Sequence, residues 1–272
     1  MKQNLPTIGV LIRFASSEAT LPRVLAAFKS QTRQPDFFLG VACNSHDNSR
    51  TIMRSAGFDI LEWTEPYHHS RVLNFGLQHL RTDLVLVLSS HTVLESPDAI
   101  ETLAACFDDE RVACASAKWD DDPYYSDAVT WAELQRNGLR FGSIYSNSMG
   151  MIRRLLWEKT PFDEEVPTAE DYLWALEQMK TGYDCRRVAF SFSYQRSGTL
   201  RDGDFARVVF SLAKRHGLRV AWLGWRGSLR AIVRLAPQAF CFPARRAELH
   251  GVYLRLRAWL TQSLFLIRWV RS

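Results

Sequence analysis

The feature that most constrains this chain is a run of five apolar residues, Leu84-Val-Leu-Val-Leu88, followed at once by Ser89-Ser90-His91. A strand without a polar face has to be covered on both sides, which places it in a parallel sheet flanked by helices. The rest of the first 120 residues supplies such a sheet. Residues 8–12, 37–43, 59–63 and 112–117 read as further strands. Between them, residues 21–31, 47–56, 70–80 and 97–107 carry helical apolar spacing. Thr20 is expected to cap the first helix, and Pro97 to occupy the first turn of the last. Repeated β–α units imply right-handed crossovers and ligands bound beyond the carboxyl ends of the strands. The segments to search are therefore 14–17, 44–48, 89–92 and 119–125.

Beyond residue 120 the alternation breaks. Residues 127–136 and 170–181 read as helices, 143–152 as short strands around a turn, and 187–194 as one more strand. The chain of 272 residues is 47% hydrophobic and 23% charged, which suits a packed protein and excludes disorder as its main state. Its five cysteines are scattered, without a C-x-x-C pair, which argues against a zinc ribbon or a disulfide framework. The first residues lack the apolar stretch of a signal peptide, and no apolar run is long enough to span a bilayer. Charge is uneven. Residues 1–200 hold 20 basic and 26 acidic side chains, and residues 201–272 hold 14 basic and 3 acidic. A domain over 1–200 with a basic, helical extension over 201–272 is expected.

Several polar groups sit where chemistry is possible. Ser89, Ser90 and His91 offer hydroxyls and an imidazole that suit a metal ion, a phosphate or simply a strand cap. Glu170 and Asp171 open a helix, where the macrodipole favours carboxylates; turned into a cleft, one of them would be a general base. Asp120, Asp121 and Asp122 form either a ligand-binding loop or a solvated turn. Asn44 and Asp47 lie in a polar loop that could meet a nucleotide, and Asp47 equally suits an N-cap. Arg71 and Asn74, one helical turn apart, share a face that fits a diphosphate or a surface ion pair. His68 and His69 read as a loop feature. In the tail, Leu249, Val252, Leu256, Leu264 and Ile267 recur at helical spacing beside Arg255, Arg257, Arg268, Trp259 and Trp269. Such a helix lies on anionic lipid or packs on the protein's own core. No nucleic-acid motif accompanies the charge. A serine hydrolase would need a G-x-S-x-G elbow, which the chain lacks.

The order of Ile8-Gly-Val-Leu-Ile-Arg-Phe14, Asn44-Ser-His-Asp-Asn48, Arg71-Val-Leu-Asn-Phe-Gly76, the strand ending in Ser89-Ser-His91, Ser146-Asn-Ser148, Pro161-Phe-Asp-Glu164 and Glu170-Asp171 resembles the family-2 glycosyltransferases. The resemblance covers about residues 6–200 and implies a GT-A fold, a Rossmann-like, mostly parallel sheet flanked by helices. It implies an inverting, single transfer from a nucleotide-sugar donor to a sugar or lipid-linked acceptor, in cell-surface polysaccharide or glycolipid synthesis. Asp171 matches the family's catalytic base. Phe14, Asn44, Asp47, Arg71, Asn74, Ser89, Ser90 and His91 would surround the donor, and Asp120, Asp121 and Glu170 the acceptor. Ser89-Ser90-His91 stands where the family has its D-x-D motif, so His91 is the remaining candidate ligand for a Mg²⁺ or Mn²⁺ cofactor. Ala42 stands where the family reads the base, and the Q-x-x-R-W motif of processive members is missing after Gln195. The expected setting is cytoplasmic, with the tail on the inner membrane face. A catalytically degenerate nucleotide-sugar-binding or scaffold protein is the alternative.

Overall fold

The computed structural model describes residues 5–118, 125–139, 144–166, 168–195, 208 and 211–219. Strands β1 (Ile8–Phe14), β2 (Phe37–Cys43), β3 (Asp59–Trp63) and β4 (Leu84–Ser89) alternate with helices α1 (Leu21–Lys29), α2 (Ser49–Ser55) and α3 (His69–Leu77). Then follow β5 (Thr92–Leu94), α4 (Ala99–Ala105), β6 (Val112–Ala117), β7 (Ala128–Val129), α5 (Trp131–Asn137), β8 (Met149–Arg153), α6 (Arg154–Lys159), α7 (Glu170–Lys180), β9 (Asp184–Val188) and β10 (Phe192–Tyr194).

Eight strands form one sheet in the order β3-β2-β1-β4-β8-β6-β9-β7, and β10 pairs with β5 apart from it. The first four strands are mutually parallel, as are β6 and β9. β8 lies antiparallel between β4 and β6, and β7 antiparallel to β9. The expected mostly parallel α/β sheet is thus present. The apolar run of β4 is buried throughout because β1 and β8 flank it and helices cover it. Leu84, Leu86 and Leu88 join Leu25 and Phe28 of α1 and Ile100 and Leu103 of α4 in one core.

Local readings differ from the outcome at five places. Thr20 holds the N-cap position of α1 but makes no cap bond, because its hydroxyl donates to Ser17 O and Ser90 O instead. The fourth helix starts at Ala99, with Asp98 at the N-cap position and Pro97 one residue before it. Residues 127–136 split into β7 and α5, since Ala128–Val129 finds a partner in β9 that no local pattern records. Residues 143–152 hold one strand, β8, preceded by a turn. Residues 187–194 divide between β9 and β10, which pair with different neighbours.

The chain divides into two compact units, residues 1–133 with 142–197, and residues 134–141 with 198–272. The whole sheet belongs to the first. In the second, Leu139 N–H donates to Arg219 O at 2.6 Å, and Leu212 and Ala213 are buried. Asp120 to Asp122 and the aromatic, basic tail lie outside the described residues. Among the described residues no helix is long and apolar enough to cross a membrane.

Candidate active site

The carboxyl ends of β1, β2 and β4 meet through hydroxyls. Ser17 and Ser90 share a hydrogen bond of 2.9 Å between their Oγ atoms, and Thr20 Oγ1 donates to Ser90 O at 2.7 Å and stands 3.5 Å from His91 Nδ1. Ser17 N–H donates to Ser49 Oγ at 2.8 Å, and Ser16 N–H to Ser45 Oγ at 3.1 Å. Three of the four segments marked by the sequence are therefore stitched into one crest. The fourth, 119–125, is described only at Tyr125.

The next strand continues the crest. Ser89 N–H donates to Ser148 O at 3.0 Å where β4 meets the turn before β8. One residue earlier, Asn147 N–H donates to Asp171 Oδ2 at 3.0 Å, and Tyr172 N–H to Asp171 Oδ1 at 2.9 Å. The Ser89-Ser90-His91 segment and the Glu170-Asp171 pair thus converge through one short turn, although some eighty positions separate them in the chain. Glu170 is buried, 3.7 Å from Arg13 Nη1 and 3.4 Å from Asn147 Nδ2. Asp171 keeps a partly open edge. Burial and the Glu170 charge push Asp171 up to about 7, against the pull of the Asn147 and Tyr172 N–H groups and of Arg13. A carboxylate so placed can take a proton near neutral pH.

Backbone strain gathers on the same side. Among the described non-glycine residues, Ser16, Asn44 and Ala169 have positive φ, at 46°, 48° and 62°. They lie after β1, after β2 and immediately before Glu170. Left-handed backbone at such residues costs on the order of 1–3 kcal/mol and collects at functional sites.

Other predicted site residues have different duties. Phe14 is buried in the core and packs against the bare face of Gly40, so its ring is not available to a ligand. Asn74 uses every polar hydrogen and lone pair internally. Its Nδ2 donates to Phe162 O and Glu164 Oε1, and its Oδ1 accepts from Trp157 Nε1 and Phe162 N–H, which leaves nothing for a diphosphate. Arg71 does share its face with Asn74, and both meet Glu164, with Arg71 Nε 3.5 Å from Oε2 in a half-exposed ion pair. Glu170 is turned inward to Arg13 rather than toward an acceptor. Asp47 accepts from Glu18 N–H, Ser45 Oγ and Ser49 N–H; what burial it has raises it, and these bonds hold it at about 2. It braces the loop, while Asn48 takes the N-cap position. Asn44 is exposed, its Nδ2 3.5 Å from Glu65 O. Ser90 meets Ser17 rather than a histidine, which gives no hydrolase triad.

The sequence reading missed Arg13 and Asn147. Arg13 could have been found, because it is the one charge inside an otherwise apolar strand. Asn147 lies in a turn with no local signature.

The donor set at the strand end does not make a resident Mg²⁺ or Mn²⁺ site. Such ions want several oxygen ligands, mostly carboxylates, and Ser89-Ser90-His91 offers one imidazole and two hydroxyls, one of them bonded to Ser17. Among the described residues no three His, Cys, Asp or Glu side chains gather as a metal group. Burial lowers the His91 pKa, which favours the neutral ring.

Two curated relatives are O-antigen chain rhamnosyltransferases from Salmonella. RfbN of Salmonella typhimurium is 23% identical over 195 residues, 65% of this chain and 62% of that protein. WbaN of Salmonella anatum is 24% identical over 174 residues, 58% and 55%. The aligned part thus spans less than two thirds of either relative. Among solved structures, the mannosyltransferase PcManGT of Pyrobaculum calidifontis, in complex with GDP-Man and Mn²⁺, superposes with a TM-score of 0.68 at 14% identity, covering 95% of this chain and 87% of that one. The likeness shows a shared GT-A fold. The sequence model for glycosyl transferase family 2 matches residues 10–163, more than half of the chain, and the protein belongs to that family.

Proposed function

We propose that the protein is a glycosyltransferase that moves one sugar from a nucleotide-sugar donor to an acceptor hydroxyl, with inversion and without processive chain growth. The observation that carries this reading is the convergence of the strand-end segment 89–91 and Asp171 on one edge of the sheet. The donor lies across the loops after β1, β2 and β4, as ligands of doubly wound sheets do. Asp171 takes the proton of the acceptor hydroxyl while the oxygen lone pair attacks the anomeric carbon. The bond from that carbon to the diphosphate oxygen breaks, and the nucleoside diphosphate leaves with the electron pair. Neutral His91 donates a hydrogen bond to the departing group, and Arg71, once swung from Glu164, adds charge. The Salmonella relatives make a polysaccharide acceptor and a rhamnosyl donor the first to test.

One observation favours a non-catalytic reading, the loss of carboxylates at the strand end. A purified sample decides. Incubated with nucleotide-activated rhamnose, GDP-Man and UDP-sugars, with and without Mn²⁺, it should release nucleoside diphosphate in an acceptor-dependent way. Donor binding without release would leave a binding module.

A further inference from the structure

Among the described residues, the two carboxylates that open α7 share one cation, Arg13. Arg13, whose side chain is 16% exposed, reaches Glu170, which is 5% exposed, at 3.7 Å, and Arg13 Nη1 has no hydrogen-bond partner among the described residues. Asn147 ties the two acids together, its Nδ2 on Glu170 and its backbone N–H on Asp171. One positive charge against two negative ones in a largely buried place is unbalanced, and buried charge without compensation is costly. The remaining groups facing Asp171 do not help. They are Cys114 on β6, with Cys185 of β9 against it, and Tyr145 before β8. Burial holds the Cys114 thiol and the Tyr145 phenol well up, so both are uncharged at working pH. Among the described residues the charges acting on Asp171 are those of Glu170 and Arg13, beside the N–H groups of Asn147 and Tyr172, and Tyr67 and Cys43 face Arg13 itself.

Resting on the assignment of Asp171 as the base, we propose that Arg13 and Glu170 are its positioning residues. The guanidinium holds Glu170 turned inward beside Asp171, and the Glu170 charge makes Asp171 a strong enough base to take a hydroxyl proton, a push that the Arg13 charge moderates. Glu170 therefore touches neither donor nor acceptor. The two charges move Asp171 in opposite directions, Glu170 up and Arg13 down.

The test is a ¹³C NMR titration of the full chain carrying carboxyl-labelled aspartate, with Asp171→Asn to assign the signal. Glu170→Gln should lower the Asp171 midpoint by about one pH unit or more, the usual effect of removing a like charge at this range. Arg13→Met should raise it, and Arg13→Lys should restore it nearly to the wild-type value. A shift of the acid limb of the pH–rate profile should follow the same order. Unchanged midpoints in Glu170→Gln and Arg13→Met would overturn the proposal. Should Arg13→Met fail to fold, the near-isosteric Glu170→Gln decides alone. The titration needs no turnover, so absence of transfer in the wild type would remove the proposed function without touching this result.

Discussion

The backbone N–H of Asn147 stands 3.0 Å from Oδ2 of Asp171. That bond links the turn leading into β8 to the first turn of α7, and the next peptide along, at Ser148, is bonded to Ser89 at the end of β4. The antiparallel insertion of β8 is what makes this possible. It brings the end of β4, where the donor is proposed to lie, beside the helix that carries the acid pair.

Gly150 keeps that turn in place. A Cβ there would stand 2.5 Å from Ser146 O and 2.5 Å from the Tyr145 ring. The first contact is with backbone, which has no rotamer to yield. Gly150→Ala should therefore displace residues 145–148, cost about 1–3 kcal/mol in urea denaturation, and reduce kcat through a misplaced Asn147. Wild-type kcat and stability would contradict the coupling of turn to site.

Asn74 gives a prediction of the opposite kind. Its four internal bonds join α3 to residues 157–164. Asn74→Ala should lower stability by roughly 2–4 kcal/mol, since several buried polar groups lose their partner. In whatever fraction remains folded at low temperature, donor affinity should stay near the wild-type value. A folded variant with normal stability and lost donor binding would restore Asn74 to the ligand site.

β1, β2, β4 and β6 were legible because they are largely apolar runs bounded by turn residues, and that pattern is local. β7 and the division of 187–194 were not legible, because those strands are short and owe their form to partners far along the chain. At the proposed site, Asp171 and the hydroxyl loops are the positions that strand and helix ends single out in the sequence. Phe14 and Asn74 were misjudged because adjacency to a ligand loop does not say which way a side chain points. The inward turn of Glu170 is set by Arg13 and Asn147, and neither is its neighbour in sequence.

Stability should record the Asp171 environment. Its folded pKa is raised to about 7, and an unfolded aspartate titrates near ~4. Between those values the folded chain holds a proton that the unfolded chain has released, so this group's contribution falls as pH rises through the window and is flat above it. Asp171→Asn lacks that slope. The Tm of the variant minus that of the wild type should grow from pH 4.5 to pH 7.5 in a thermal melt. Parallel curves would show an unperturbed carboxyl.

The tail carries a separate proposal, that residues 244–272 hold the protein on anionic lipid. They combine Arg255, Arg257, Arg268 and Arg271 with Trp259 and Trp269. Interfacial segments with such a composition bind through buried apolar area and through basic residues, each worth about 1 kcal/mol near a charged surface. Deleting 244–272 should abolish co-sedimentation with phosphatidylglycerol vesicles and leave donor binding intact. Equal sedimentation of both forms would assign the tail to packing on the protein itself.

The central claim is that Asp171 takes the acceptor proton at the edge where the donor binds. Its most direct measurement is transfer by Asp171→Asn beside donor affinity for the same preparation. Turnover should fall by ~10²-fold or more, the usual worth of a general base, with the donor dissociation constant within a few-fold of the wild type. Undiminished turnover in Asp171→Asn would contradict the account.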